Sequence, residues 1–144
     1  MTIAAILRHK GREVVTLDPA ATVVEIARTL SERGIGAVLI VDRSGQLRGI
    51  VSERDILRSL HAHGARTLDM TADQLMTRSL YTASPRTTIN EAMRQMTAGR
   101  FRHVPVLEDG ALVGLVSIGD VVKARIMQQE EEVDSLKAYI AGSA

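Results

Sequence analysis

The chain has 144 residues, 45% of them hydrophobic, with 18 basic and 17 acidic side chains and a formal net charge of +1. That length supports one core or two half-size modules packed together. A balanced charge with one Phe, two Tyr and no Trp offers neither the field nor the stacking rings that a nucleic-acid partner needs. The lack of cysteine excludes a disulfide framework and a thiolate nucleophile and fits a reducing compartment, so a cytoplasmic location is expected. Met1 to Leu7 has no basic flank, and no apolar run approaches the roughly 18 residues of a membrane span, so a soluble, unprocessed chain away from membranes is expected.

In chain order, Thr2 to Leu7 reads as a short helix ended by Gly11, and Val14 to Leu17 as a strand closed by Asp18-Pro19. Thr22 caps a helix with Val23, Ile26, Ala27 and Leu30 on one face and Gly34 past its end. Ala37 to Val41 and Leu47 to Val51 form a hairpin joined by the polar stretch 42–46, and Ser52 caps a helix through about Leu60. A polar stretch from Gly64 to Thr71 and a short helix over Asp73 to Thr77 lead onward. The order then repeats: strand Leu80 to Thr82, turn Ser84-Pro85, and a helix from Thr88 with Ile89, Ala92, Met93 and Met96 inward. Strand His103 to Leu107, turn Glu108 to Gly110 and strand Leu112 to Val116 follow, and Ser117 opens a helix predicted to reach about Ala141.

The repetition is also explicit in residues. Gly49-Ile50-Val51-Ser52-Glu53-Arg54-Asp55 returns as Gly114-Leu115-Val116-Ser117-Ile118-Gly119-Asp120, 65 residues on (49 to 114). The offset is 66 ahead of the hairpins (22 to 88) and 65 behind them (52 to 117), which puts one extra residue in the first hairpin. Length changes of this kind belong in turns. The expected organisation is a mixed α+β chain: residues 1–66 with the N-terminal helix and first repeat, 67–128 with the second repeat, and a helical extension over 129–144.

Thr22-Val23-x-Glu25 with Thr88-Ile89-x-Glu91, His103-x-Pro105-Val106 and the two Gly-aliphatic-aliphatic-Ser-x-x-Asp segments together resemble the cystathionine-β-synthase (CBS) domain family, and two in tandem resemble a CBS pair, or Bateman module. The resemblance covers roughly residues 1 to 127. It implies two β-α-β-β-α units related by a pseudo-twofold axis, with ligand clefts between sheets. It also implies an adenine slot walled by Val15-Thr16 and Tyr81-Thr82 from the early strands, and by Ile35-Gly36-Ala37 and Arg102-His103-Val104 from the strand entries. Leu39 stands where the second repeat has Pro105, so the first cleft is expected to differ in backbone.

Ser52 with Asp55, and Ser117 with Asp120, lie three apart at a helix start and share a face. A phosphate there meets unsatisfied N–H groups and the positive end of the helix dipole, the serine adds a hydroxyl, and the carboxylate can accept ribose hydroxyls. The plain alternative is capping, in which Ser and Asp only close the helix end, worth about 1 kcal/mol. Arg54 in the first copy, and Arg100, Arg102 and His103 ahead of the second hairpin, can offset phosphate charge, while Gly119 stands beside Asp120. AMP is the expected ligand, with NAD(H) or ATP next, and the two clefts are expected to be unequal.

His61-Ala62-His63 has no further ligand at metal spacing, so no metal site is expected, and the third reading, a metal-dependent enzyme using this pair, is the weakest. No nucleotide-phosphate loop, nucleophile elbow or acid–base couple is present, so no enzyme is expected. The leading function is a regulatory adenine-nucleotide sensor acting on an unidentified effector protein; the alternative is a ligand-free structural dimerisation adaptor. In the tail, Val122, Ile126, Gln129, Val133, Leu136 and Ile140 step by four and three, a heptad-like seam. It either packs on the chain's own Ile3, Ile6 and Leu7 or, as favoured, makes a homodimer.

Overall fold

The computed structural model describes residues 1–142, so the last two positions of the expected 129–144 extension lie outside the described residues. In chain order the elements are α1 (Ile3–Lys10), β1 (Thr16–Leu17), α2 (Val23–Arg33), β2 (Ala37–Val41), β3 (Leu47–Ser52), α3 (Glu53–His63), a 3-10 turn (Gly64–Asp69) and α4 (Ala72–Leu75). These are followed by α5 (Ile89–Gly99), β4 (His103–Glu108), β5 (Ala111–Ser117) and α6 (Ile118–Gly142). They form two compact units: Glu13–Tyr81, and Met1–Arg12 together with the chain from Thr82 onward. Division by repeat and division in space therefore differ. Helix α1 precedes the first repeat but packs with the second, and α4 precedes the second repeat but packs with the first.

In the 13–81 unit the sheet order is β1-β2-β3, with β1 parallel and β3 antiparallel to β2. The Thr22 hydroxyl accepts the Glu25 amide at 3.2 Å, and Gly34, at φ 62, ends α2 in the left-handed conformation that glycine adopts without strain. Val23, Ile26 and Leu30 are buried, whereas Ala27, expected on the same face, is exposed. Ile26 and Leu30 join Val38, Ile40, Val51, Ala72 and Met76 in one apolar cluster. Segment 72–77 is tied on by paired backbone bonds between Ile50 and Thr77, at 3.1 and 2.9 Å.

The other unit is built around the antiparallel β4–β5 hairpin. Its N-terminal helix is anchored by the Ile3 amide on the Thr87 carbonyl and the Ala4 amide on that of Pro85, both at 2.9 Å. Ile3, Ile6 and Leu7 are buried, Leu7 against Gly114. Both hairpins shift register at the same place, after Ile40 and after Val106, and the first has the longer loop, as the change of offset predicts.

One expected element does not form. Residues 80–82 are irregular, and only Ala83 makes an isolated parallel bridge, to Val106. The reason lies in the next layer. In the first repeat the Leu39 amide donates to the Val15 carbonyl at 3.2 Å, which helps pair β1 with β2. Pro105 occupies the equivalent place and has no N–H to give, so the second repeat retains only the bonds flanking it: Ala83 N–H to Pro105 O and Leu107 N–H to Ala83 O, at 2.9 and 2.8 Å. The predicted strand 14–17 is likewise shortened to Thr16–Leu17.

Candidate functional site

Each hairpin delivers its serine to the start of a helix by the same bonds. In the first copy Ser52 pairs with Ala37 across the ladder, and the Glu53 amide donates to the Gly36 carbonyl at 3.0 Å. In the second, Ser117 pairs with His103, and the Ile118 amide donates to the Arg102 carbonyl at 2.7 Å. Backbone pairing thus brings Gly36 and Ala37 to Ser52, and Arg102 and His103 to Ser117. Val15 and Thr16 stand beside Leu39, further along the sheet.

The aspartates fold back on their serines. The Ser52 amide donates to Asp55 Oδ2 at 2.8 Å, its hydroxyl donates to the same oxygen at 3.0 Å, and the Asp55 amide donates to Ser52 Oγ at 3.4 Å. The Ser117 amide donates to Asp120 Oδ2 at 2.8 Å, and the Asp120 amide donates to Ser117 Oγ at 3.1 Å. These are reciprocal capping bonds. They correct one expectation: the helix starts do not present several open amides. The first is taken by the strand-entry carbonyl and the third by the serine, leaving the amides of Arg54 and Gly119 without an acceptor among the described residues.

The two ends differ in what else holds the aspartate. Thr77 donates its hydroxyl to Asp55 Oδ1 at 3.3 Å. Lys10, from α1, donates to Asp120 Oδ2 at 2.7 Å and to the Leu115 carbonyl at 2.9 Å. Neither partner was visible in the sequence motif. Each comes from the segment preceding the other repeat, and Lys10 lies 110 residues from its aspartate. Of the remaining candidates, Val104 and Pro105 are buried in β4; Ile35, Gly36, Tyr81 and His103 are half-buried. Thr16, Arg54, Thr82, Arg100, Arg102 and Gly119 are exposed. Arg54, Arg100 and Arg102 form no ion pair among the described residues, which leaves three guanidinium groups without a carboxylate. Arg100 is the left-handed C-cap of α5, at φ 56. An open groove of about 860 Å³ lies elsewhere, between α1 and α6, and contains none of the candidate residues. His61 and His63 are exposed on the last turn of α3, and no group of three or more His, Cys, Asp or Glu able to hold a metal is found among the described residues.

Burial of the Asp120 carboxyl on its own would raise its pKa, but the Lys10 hydrogen bond, the Ser117 amide and the Lys10 charge outweigh it and hold the group below its ordinary 3.8. A folded-state value below the unfolded one contributes stability at pH above the unfolded value, and that contribution disappears as pH falls through the folded value. Urea unfolding followed from about pH 5 down to about pH 2 is therefore expected to show an acid loss of stability that Asp120→Asn and Lys10→Gln both reduce. An unchanged acid limb in both variants would remove the pair from the account.

Two copies of one hairpin-to-helix junction, each presenting serine, aspartate and one open amide, define a tandem α+β repeat module with duplicated polar ends. The CBS domain model matches residues 6–62 and again 72–126, and the chain belongs to the CBS domain family as a tandem pair. It is 35% identical over 151 aligned residues to the mitochondrial CBS domain-containing protein CBSX3 of Arabidopsis thaliana, spanning 98% of this chain and 72% of that one. Among solved structures, the CBS-domain protein ATU1752 of Agrobacterium tumefaciens is 42% identical with a TM-score of 0.85, covering 87% of this chain and 99% of that one. The CBS domain pair of protein MJ0100, in complex with 5′-methylthioadenosine and S-adenosyl-L-methionine, has a TM-score of 0.77 at 25% identity, over 90% and 98% of the two chains. No helix among the described residues is long and apolar enough to cross a membrane. Because CBSX3 is a mitochondrial protein, family membership does not by itself specify the cytoplasm.

Proposed function

We propose that this chain is a regulatory sensor that binds an adenosine-containing ligand at its Ser-x-x-Asp ends and, as a homodimer in the cytoplasm, passes the ligand's state to an effector protein. The observation that carries the reading is the duplicated junction, where the open amides of Arg54 and Gly119 stand beside side chains of the right chemistry. In this reading Ser52 and Ser117 face the ligand's phosphate or its equivalent, with Arg54 at the first end and Arg100, Arg102 and His103 at the second offsetting charge. Asp55 and Asp120 accept ribose hydroxyls. Asp120 Oδ1 accepts no hydrogen bond among the described residues, and Asp55 Oδ1 holds only the Thr77 hydroxyl. The adenine lies against Val15-Thr16 with Ile35 to Ala37 in one copy, and against Thr82 with Arg102 to Val104 in the other. AMP is the leading ligand, and NAD(H) or ATP, with their extra phosphates, would draw on the basic cluster. That MJ0100's pair is seen with two adenosine compounds supports this class of ligand.

A second reading has its own support. The capping bonds are complete as they stand, as they would be in a ligand-free dimerisation adaptor. Isothermal calorimetry against adenosine, AMP, ATP, NAD and S-adenosylmethionine, with the Arg54 and Gly119 amides followed by NMR, separates the two. The sensor predicts heat and movement of at least one amide. No heat, no amide shift and no melting shift at millimolar ligand would establish the adaptor.

A further inference from the structure

The two repeats differ sharply where the chain enters each hairpin. At the 66-residue offset that holds ahead of the hairpins, Arg33-Gly34-Ile35-Gly36 becomes Gly99-Arg100-Phe101-Arg102, with glycine and arginine exchanged. Gly34 ends α2 at φ 62, ψ 40, and Arg100 ends α5 at φ 56, ψ 35, so one left-handed turn is built once with glycine and once with arginine. A β-carbon is strained in that conformation, and glycine has none. One other non-glycine residue among the described residues has a positive φ, Asp109, and it precedes Gly110 in a hairpin turn where aspartate is an ordinary choice.

Packing accounts for Gly99, where a β-carbon would run into the Phe101 ring, but not for Arg100. The Arg100 side chain is exposed and forms no hydrogen bond or ion pair among the described residues, so a strained position carries a side chain that does nothing for the fold. The surrounding charges make an independent argument. Residues 34–37 and 52–55 together carry one arginine, Arg54, and two carboxylates, Glu53 and Asp55. The equivalent residues 100–103 and 117–120 carry two arginines, Arg100 and Arg102, and one carboxylate, Asp120, which Lys10 already holds at 2.7 Å. The Arg102 carbonyl accepts the Ile118 amide at 2.7 Å, which fixes this basic entry against the helix start. A polyanion is drawn to the second arrangement and repelled by the first.

We infer that the two ends sort adenosine compounds by charge: the second takes those with two or more phosphates, with Arg100 setting the preference, and the first takes those with one phosphate or none. The inference rests on the sensor reading above and adds a ligand class for each end.

The test titrates the 144-residue chain with ATP and, separately, with adenosine, without divalent cations, and follows the Gly119 amide for the second end and the Arg54 amide for the first. ATP is expected to fill the second end at about a tenfold lower concentration than the first, and adenosine to show no such preference. Arg100→Gly is expected to weaken ATP at the second end about tenfold and leave adenosine there unchanged, while unfolding at the same or a higher urea concentration. Arg100→Lys keeps the charge and is expected to keep the preference. Gly34 has no heavy atom within 4 Å of where its β-carbon would lie, so Gly34→Arg has room and is expected to tighten ATP at the first end. ATP filling the first end at an equal or lower concentration overturns the division by charge and leaves the sensor reading standing. Unchanged ATP affinity in Arg100→Gly, or a joint loss of affinity and urea stability, overturns the assignment to Arg100. If neither compound moves either amide, the sensor reading fails and this inference fails with it.

Discussion

Gly49→Ala is expected to destabilise the 13–81 unit by about 1–3 kcal/mol, the range for forcing a methyl into a filled site. A β-carbon at this position would lie 2.7 Å from the Thr77 backbone carbonyl and 2.8 Å from the Met76 sulfur. The sulfur can move. The carbonyl cannot, because Thr77 exchanges backbone hydrogen bonds with Ile50. At the matching glycine, Gly114, the new methyl would meet Leu7 Cδ2 at 2.6 Å, the far end of a side chain. Gly114→Ala is therefore expected to cost less, although Leu7 is buried and cannot yield freely. Urea unfolding of the two variants beside wild type measures the difference. If Gly114→Ala proves the more damaging, the contrast between rigid backbone and yielding side chain is wrong. In either case the glycine that opens the repeated motif is explained by the segment packed on it, and needs no ligand.

Lys10→Gln is expected to change which ligand the second end prefers. In the proposed reading the Lys10 ammonium holds Asp120 Oδ2, beside the open Oδ1 that a ribose would approach, and it adds positive charge at the end that would take the phosphate. Removing it should tighten neutral adenosine and weaken ATP, shifting their ratio by about fivefold, the scale of a partly exposed ion pair. The Gly119 amide, followed in NMR titrations with each compound, reports on this end, and Arg54 reports on the first. Lys10→Arg keeps the charge and is expected to keep the wild-type ratio. A ratio unmoved by Lys10→Gln, with Gly119 still responding to both compounds, would mean that Lys10 only fastens α1. At the first end Thr77 supplies a neutral hydroxyl in this role, so the two ends differ in charge as well as in sequence.

Most of the fold is legible in local patterns of the sequence. Thr22, Thr88 and the two serines cap helices because a side-chain hydroxyl at the helix start accepts the backbone amide three residues on, and this needs no tertiary context. The extra residue in the first hairpin was readable for the same reason. What the sequence hid was long-range. Leu80 to Thr82 has the composition of a strand, but whether it pairs depends on an amide that Pro105, far along the chain, does not possess. Lys10 and Thr77 look like ordinary polar residues until the chain places each against an aspartate of the repeat it does not precede. How many amides the caps leave open is not legible either, because the sequence shows that a helix begins at Ser52 or Ser117, not which carbonyl of the preceding loop turns toward it.

The crossed assignment of α1 and α4 also sets an order in time. During synthesis the 13–81 unit emerges as one continuous stretch, and everything it packs against within itself is available once Tyr81 has left the ribosome. Helix α1 has been made long before, yet the strand and helix that cover its Ile3, Ile6 and Leu7 come last. Those three side chains wait without their partners until β5 and α6 have been made, which leaves α1 open to chaperones and proteases over that interval.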